Sequence, residues 1–223
     1  MAKLYIIATP IGNLEDLTLR ALRILKEVDF VLAEDKRVTA KLLNFYKLDK
    51  KLLTWQQHSS GSDWQVIKKL LVSGKDLALV SDAGTPGISD PGGKLIELIL
   101  SELPNVEIIP IPGPSALAAI ISIAGVALDN FSFYGFLPHK KGRQTLINKI
   151  KEADVPVIFF ESVHRIDKTL AQLADCPKKL IVGRELTKQF ETVYRGTAES
   201  ILKILKDNPK ALKGEFVIIV DKQ

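Results

Sequence analysis

The chain has 223 residues, 46% hydrophobic and 26% charged, with one cysteine, three histidines and a formal net charge of +5. That length suits one large domain or two small ones with a buried core, and a composition this ordinary excludes disorder, collagen and coiled coil. The lone Cys176 excludes an internal disulfide and a multi-cysteine zinc site, and points to a reducing compartment.

The chain opens on the apolar run Leu4–Ala8, which predicts a strand and is too short for a signal peptide. Apolar positions at Leu19, Leu22, Ile24, Leu25 and Val28 predict a helix over 17–28. A strand at 30–33 follows, then Asp35 as N-cap of a helix over 37–46. A short strand at 52–55 precedes a helix over 62–73 that Gly74 closes. The pattern continues with a strand at 77–80, a helix at 93–103, a strand at 106–109 and a helix at 115–124. Residues 108–128 carry no charge, but Pro110, Pro112, Gly113 and Pro114 break the run, leaving an ordinary buried helix and no membrane span. A cytosolic protein is expected.

The second half predicts strands at 131–135, 156–160, 179–183, 189–194 and 215–220, with helices near 142–153, 163–174 and 197–207. Strict alternation in the first half implies a parallel sheet flanked by helices, and the close strand pair within 179–194 implies a mixed sheet. Two α/β domains are therefore expected, 1–125 and 126–223. The whole basic excess falls late: 14 Lys/Arg face 14 Asp/Glu in residues 1–111, and 17 face 12 in residues 112–223. A local basic run, Lys36, Arg37, Lys41, Lys47, Lys50 and Lys51 against Asp49, reads either as a solvated helix face or as a footprint for an anionic partner.

Three Gly/Pro-rich loops follow predicted parallel strands: Ala8–Asn13, Ser81–Gly92 and Ile111–Ala116. Loops at the carboxyl ends of parallel strands line the ligand crevice. None spells a Walker loop, a dinucleotide fingerprint or a nucleophile elbow. His58, His139 and His164 lack metal-ligand spacing. A cofactor that is neither triphosphate nor dinucleotide, and that needs no metal, fits these loops best.

Thr9-Pro10-Ile11-Gly12-Asn13-Leu14, Ala33-Glu34-Asp35, Ser81 through Gly92, Pro112 through Ala116, Gly135 through Pro138, Phe160-Glu161-Ser162, His164-Arg165, Arg184 through Lys188 and Lys213 through Val217 together carry a resemblance. The sequence resembles the ribosomal branch of the tetrapyrrole methylase family over nearly its whole length. It departs at Lys36, where that branch has Thr, and at Val163, where it has Pro. The resemblance implies a two-domain α/β fold, a homodimer and S-adenosylmethionine in a cleft between the domains. It also implies 2′-O-methylation of a decoding-centre cytidine in 16S ribosomal RNA or the small ribosomal subunit. By motif, Pro10, Gly12, Asp82, Ala83, Gly84, Thr85, Ser115 and Ala116 would hold the cofactor, joined by Phe160, Gly214 and Glu215 from the second domain.

Methyl transfer to a ribose hydroxyl is an in-line displacement that needs positioning and help with a weakly acidic proton. Glu34, Asp35 and Arg37 end the second strand and are the candidate catalytic group, Asp35 having the alternative of a simple N-cap. Asp82 suits a cationic cofactor or, alternatively, stabilises a turn. Lys36, Lys47, Lys50, Lys51, His164 and Arg165 are candidate RNA contacts. Arg184 and Glu185 form either an internal pair or a substrate contact, and Asp90 is expected to anchor the helix after it, with facing the substrate as the alternative. Methylation of a tetrapyrrole precursor, or non-catalytic ligand binding during ribosome assembly, are the competing readings.

Overall fold

The computed structural model describes residues 1–222, which fall into two compact units, Met1–Ser115 and Ala116 onward. The first unit alternates strand and helix: β1 (Lys3–Ile7), α1 (Leu19–Glu27), β2 (Phe30–Ala33), α2 (Lys36–Phe45), β3 (Lys51–Thr54), α3 (Gly61–Val72), β4 (Leu77–Val80), α4 (Gly92–Glu102) and β5 (Glu107–Ile111). All five strands pair in parallel in the order β3-β2-β4-β1-β5. β4, Leu77-Ala78-Leu79-Val80, is buried at every position because helices cover both faces of the sheet. One face packs Ile7, Val31, Ala33, Ala78 and Val80 with Ala21, Ile24 and Leu25 of α1. The other packs Leu4, Leu32, Leu77 and Leu79 with Trp55, Trp64, Ile67, Leu95 and Ile99. Trp55 and Trp64 are thus core anchors.

Local chemistry sets the helix bounds. Thr18 caps α1 by accepting from the backbone N–H of Ala21, and Asp35 caps α2 by accepting from Arg37. Ser60 and Asp63 form a reciprocal capping box on α3, and Gly74 follows that helix at φ +82°.

The second unit holds α5 (Ala116–Ile123), β6 (Ser132–Phe136), α6 (Arg143–Glu152), β7 (Val157–Glu161), α7 (Ile166–Gln172), β8 (Leu180–Arg184), β9 (Thr192–Gly196), α8 (Ala198–Asp207) and β10 (Phe216–Val220). Its sheet runs β6-β7-β10-β8-β9. β6 and β7 are parallel and every other pair is antiparallel, the mixed sheet expected from the close strands of residues 179–194. Among the described residues no helix is long and apolar enough to cross a membrane.

The division between units falls ten residues before the expected boundary at 125, and α5 groups with the second unit. Its only fully buried side chain, Ile120, points at β8. A Cβ at Gly183 would sit 2.8 Å from Ile120 Cδ1, 3.1 Å from Leu186 Cδ2 and 3.2 Å from Val217 Cγ1. The helix therefore rests where β8 has no side chain. Gly183→Ala overpacks this joint and should cost about 1–3 kcal/mol in urea unfolding. Ile120→Val in the same chain removes the nearest methyl and should restore part of the loss. Equal stability of Gly183→Ala and wild type would show that α5 does not depend on this contact.

Candidate active site

Because the first sheet is all parallel, the loops after β1, β2, β3, β4 and β5 leave at one edge. Short hydrogen bonds tie them together. Thr9 and Gly84 form an antiparallel bridge, N–H to carbonyl in both directions at 2.9 and 3.0 Å. Thr9 Oγ1 donates to the Ser81 carbonyl at 3.0 Å, and Thr85 Oγ1 to the Pro114 carbonyl at 3.1 Å. A Cβ at Gly113 would lie 3.1 Å from Ala8 Cβ, so only glycine lets the third loop come this close to the first. Of the expected cofactor residues here, Pro10 and Gly84 are buried, Asp82 and Thr85 half-buried, and Gly12 and Ala83 exposed. Gly84 adopts φ +83°, which favours glycine. Ser115 closes the first unit and Ala116 opens the second.

The loop after β2 joins the same assembly through carboxylates. Asp82 Oδ1 accepts the Asp35 N–H at 2.9 Å, while the Asp82 backbone donates to the Glu34 carboxylate. Gln56 Nε2 donates to the Glu34 carbonyl at 3.0 Å, and Trp55 Nε1 to the Pro91 carbonyl at 3.3 Å. Burial pushes the Glu34 carboxyl above its usual range, and the charges of Asp82 and Asp90 push it further. Burial likewise raises Asp82. Asp35 behaves in the opposite way: the Arg37 guanidinium, 2.6 Å away, holds it down at about 2.

The candidate catalytic group therefore divides. Asp35 caps α2 and closes on Arg37, whose side chain is 88% exposed, while Glu34 turns to Asp82. Asp90 is structural, as expected: its carboxylate gathers the N–H groups of Gly87 at 2.8 Å and Gly92 at 2.7 Å, winding the loop between Thr85 and α4. Composition gave no sign of the Gln56 and Trp55 links, because both depend on which strands are neighbours.

In the second unit, Phe160 lies on β7 with its ring edge-to-face against Phe133 and Phe136. Gly214 adopts φ +119°, and a Cβ there would fall 2.6 Å from Glu185 Cγ. Glu215 and Glu185 exchange backbone and side-chain contacts: Glu185 N–H to the Glu215 carbonyl at 2.9 Å, Glu215 N–H to Glu185 Oε1 at 2.8 Å. Burial opposes charge on Glu185, yet that N–H and the Lys188 ammonium hold its carboxyl below the usual range. Among the described residues Arg184 forms no salt bridge with Glu185. Buried, it donates to the carbonyls of Lys213 at 2.7 Å, Phe190 at 3.0 Å and Lys210 at 3.1 Å.

Two expected RNA contacts are engaged inside the fold instead. Lys50 Nζ donates to the carbonyls of Lys26 at 2.6 Å and Val28 at 2.8 Å, closing the end of α1. Arg165 pairs with the buried Glu161 at 2.8 Å and donates to the Leu137 carbonyl at 2.7 Å. Lys36, Lys47, Lys51 and His164 are exposed. Among the described residues no group of three or more His, Cys, Asp or Glu side chains is placed to hold a metal ion.

A parallel α/β unit with three interlinked Gly/Pro loops, followed by a mixed α/β unit, matches one family throughout. The chain belongs to the tetrapyrrole (corrin/porphyrin) methylases, whose family model covers residues 3–202. It is similar to the ribosomal RNA small subunit methyltransferase I of Thermotoga maritima, 41% identical over 223 residues, which span 99% of this chain and 98% of that one. It is likewise similar to that of Neisseria meningitidis serogroup A, 42% identical over 97% of this chain and 75% of the relative. Among solved structures, a cobalt precorrin-4 methyltransferase superposes with a TM-score of 0.69 at 19% identity, covering 98% of this chain and 94% of that one. The uroporphyrin-III C-methyltransferase of Thermus thermophilus gives 0.63 at 21% identity, covering 100% and 95%. These structures share the fold.

The methyl donor of this family is S-adenosylmethionine, and the residues at the strand edge fit it. Glu34 and Asp82 bring negative charge, and among the described residues neither forms a direct salt bridge with Lys or Arg, which suits a cationic sulfonium. A Cβ at Gly84 would meet Ile11 Cγ2 at 3.4 Å and the Pro114 carbonyl at 3.8 Å, so this turn packs the first loop against the third. The strain among these acids has a measurable sign. Because folding raises the Glu34 pKa, the native state binds that proton more tightly, and stability falls as pH rises through the folded value. Glu34→Gln should therefore melt at or above the wild-type temperature at pH 7, with the difference shrinking toward pH 4. A lower melting temperature at pH 7 would mean that Glu34 serves the fold.

Proposed function

We propose that this protein methylates ribosomal RNA of the small subunit, transferring the methyl group of S-adenosylmethionine to the 2′-hydroxyl of a decoding-centre cytidine. The substrate class is supported by relatives about 40% identical over nearly the whole chain that carry the name ribosomal RNA small subunit methyltransferase I. The acceptor chemistry is supported by one observation above all, the half-buried Glu34 carboxylate held against the Asp82 backbone at the strand edge.

When bound, the sulfonium supplies an electrophilic methyl group. The chain's own task is to hold the ribose oxygen in line and to receive its proton. A carboxylate raised toward neutrality is a better proton acceptor than an ordinary one, because base strength grows with pKa. Asp82 fixes the Asp35 N–H and the Glu34 carboxylate at once, so it positions the base as well as adding negative charge for the cofactor. Asp35 and Arg37 close on each other at the surface, where Arg37 is free to exchange its carboxylate for an RNA phosphate. Lys36, Lys47 and Lys51 lie in the same basic run and add sequence-independent affinity.

Mapping ribose methylation on small-subunit RNA from cells with and without the protein tests the reading directly. The expected result is one cytidine in the decoding centre that loses its 2′-O-methyl group. An unchanged map would overturn the assignment. In purified protein, Glu34→Gln should slow single-turnover methylation by roughly 10²–10⁴-fold while S-adenosylmethionine affinity stays within a few-fold. Lys36→Thr should preserve the rate. A Glu34→Gln enzyme at the wild-type rate would leave positioning alone as the source of acceleration. Asp82→Asn keeps an acceptor for the Asp35 N–H but removes the charge, so it should weaken cofactor binding more than thermal stability. Equal losses would mark Asp82 as a turn residue.

A further inference from the structure

The loop between β6 and α6 is held from beneath and left bare on top. Arg143 is buried, and its guanidinium donates to the Pro138 carbonyl at 3.2 Å, to Gln172 at 3.0 Å and to Thr169 at 2.5 Å. Arg165 donates to the carbonyl of the preceding residue, Leu137, at 2.7 Å. The carboxylate of Glu161, fully buried, neutralises both arginines at 3.3 and 2.8 Å. A buried and a half-buried cation sharing one buried anion form a polar pedestal that fixes the backbone of Leu137-Pro138, since breaking such a pair strands a charge.

Above the pedestal the side chains have no comparable engagements. His139, Lys140 and Lys141 are exposed, and neither lysine takes part in an ion pair among the described residues. Gly142 then turns the chain at φ +80° into α6. Immediately before the loop, at the end of edge strand β6, Phe136 is 54% exposed although its ring rests edge-to-face on Phe160 at 5.5 Å. Tyr134 on the same strand is 40% exposed. Between Phe131 and Gly142 the sequence contains no acidic residue. The lysines stand four and five positions after Phe136, a span of at most roughly 17 Å. An aromatic face beside unpaired cations is the combination that binds unpaired nucleotides, the ring stacking on a base and the cations on phosphates.

We propose that Phe136 and the Lys140-Lys141 tip form a contact for single-stranded RNA on the second unit, with one unpaired base stacked on Phe136 and its flanking phosphates on the two lysines. This rests on the RNA reading above and adds a binding surface to it. Arg143 and Arg165 are not part of the contact. They hold the tip rigid, so that little ordering is left for the moment of binding.

The test uses the full-length protein and isolated small-subunit ribosomal RNA over a salt series, with S-adenosylmethionine binding and oligomeric state measured on each variant. Methylation of that RNA by the wild-type protein is measured first, and its absence would sink the RNA reading independently of this surface. Lys140→Glu with Lys141→Glu should flatten the slope of log affinity against log salt by about 1.4, two phosphate contacts on a single strand. Phe136→Leu, which keeps the apolar bulk but removes the ring, should weaken RNA binding roughly 5- to 150-fold. Phe136→Trp should restore it. Cofactor affinity should be unchanged in the double lysine variant. Unaltered salt slope and RNA affinity would overturn the proposal. So would a Phe136→Leu variant that changes oligomeric state and not RNA affinity, which would make this face a contact between copies of the chain.

Discussion

A two-way hydrogen bond between Thr9 and Gly84 is the constraint on which the candidate active site depends. β1 and β4 are neighbours at the centre of a parallel sheet, and parallel strands that leave a sheet would ordinarily diverge into separate loops. Here the chains continue past the sheet and pair once more, in the opposite sense. That single bridge turns two loops into one rigid surface. The Ser81 and Gly84 carbonyls then receive the Thr9 and Ser81 hydroxyls, and the Pro114 carbonyl receives Thr85. Gly84 must adopt φ +83° to make the turn, which is why a glycine stands there.

Charge is distributed on this surface with a clear division of labour. Asp35 and Arg37 satisfy each other at the water boundary, where such pairs contribute little to stability. Glu34 and Asp82 sit a layer deeper, near one another and with no salt bridge to a cation among the described residues, an arrangement that costs stability and that a folding requirement alone does not explain. The second unit solves the opposite problem. Glu161 lies deeper still, but two arginines flank it, so its burial fixes geometry and leaves no reactivity to spare.

Most of the fold could be read from the order of apolar runs. Strand and helix periods are local, and β2 and β4 have the bounds that their hydrophobic residues predict. The shared edge of the Gly/Pro loops also followed from alternation alone, since alternation implies parallel strands. Pairwise partners did not. Lys50 and Arg165 look like free cations in a sequence, and only the folded chain brings the carbonyls of Lys26, Val28 and Leu137 to them. The grouping of α5 with the second unit is hidden for a similar reason. α5 carries no charge and follows directly from the last strand of the first sheet, so nothing local shows that Ile120 belongs with Gly183.

The order of strands in the two sheets also bears on the order in which the protein can form during synthesis. Every strand of the first sheet lies within residues 3–111, so that sheet has all its members before the second unit has been made. The second sheet is different, because β10 at 216–220 occupies its middle place between β7 and β8. Until residue 220 has left the ribosome, β7 and β8 have no strand to join them, and their apolar inner positions wait unpaired. The first sheet can thus be completed while the second still lacks its middle strand, and closure of the second sheet is a late event in each round of translation.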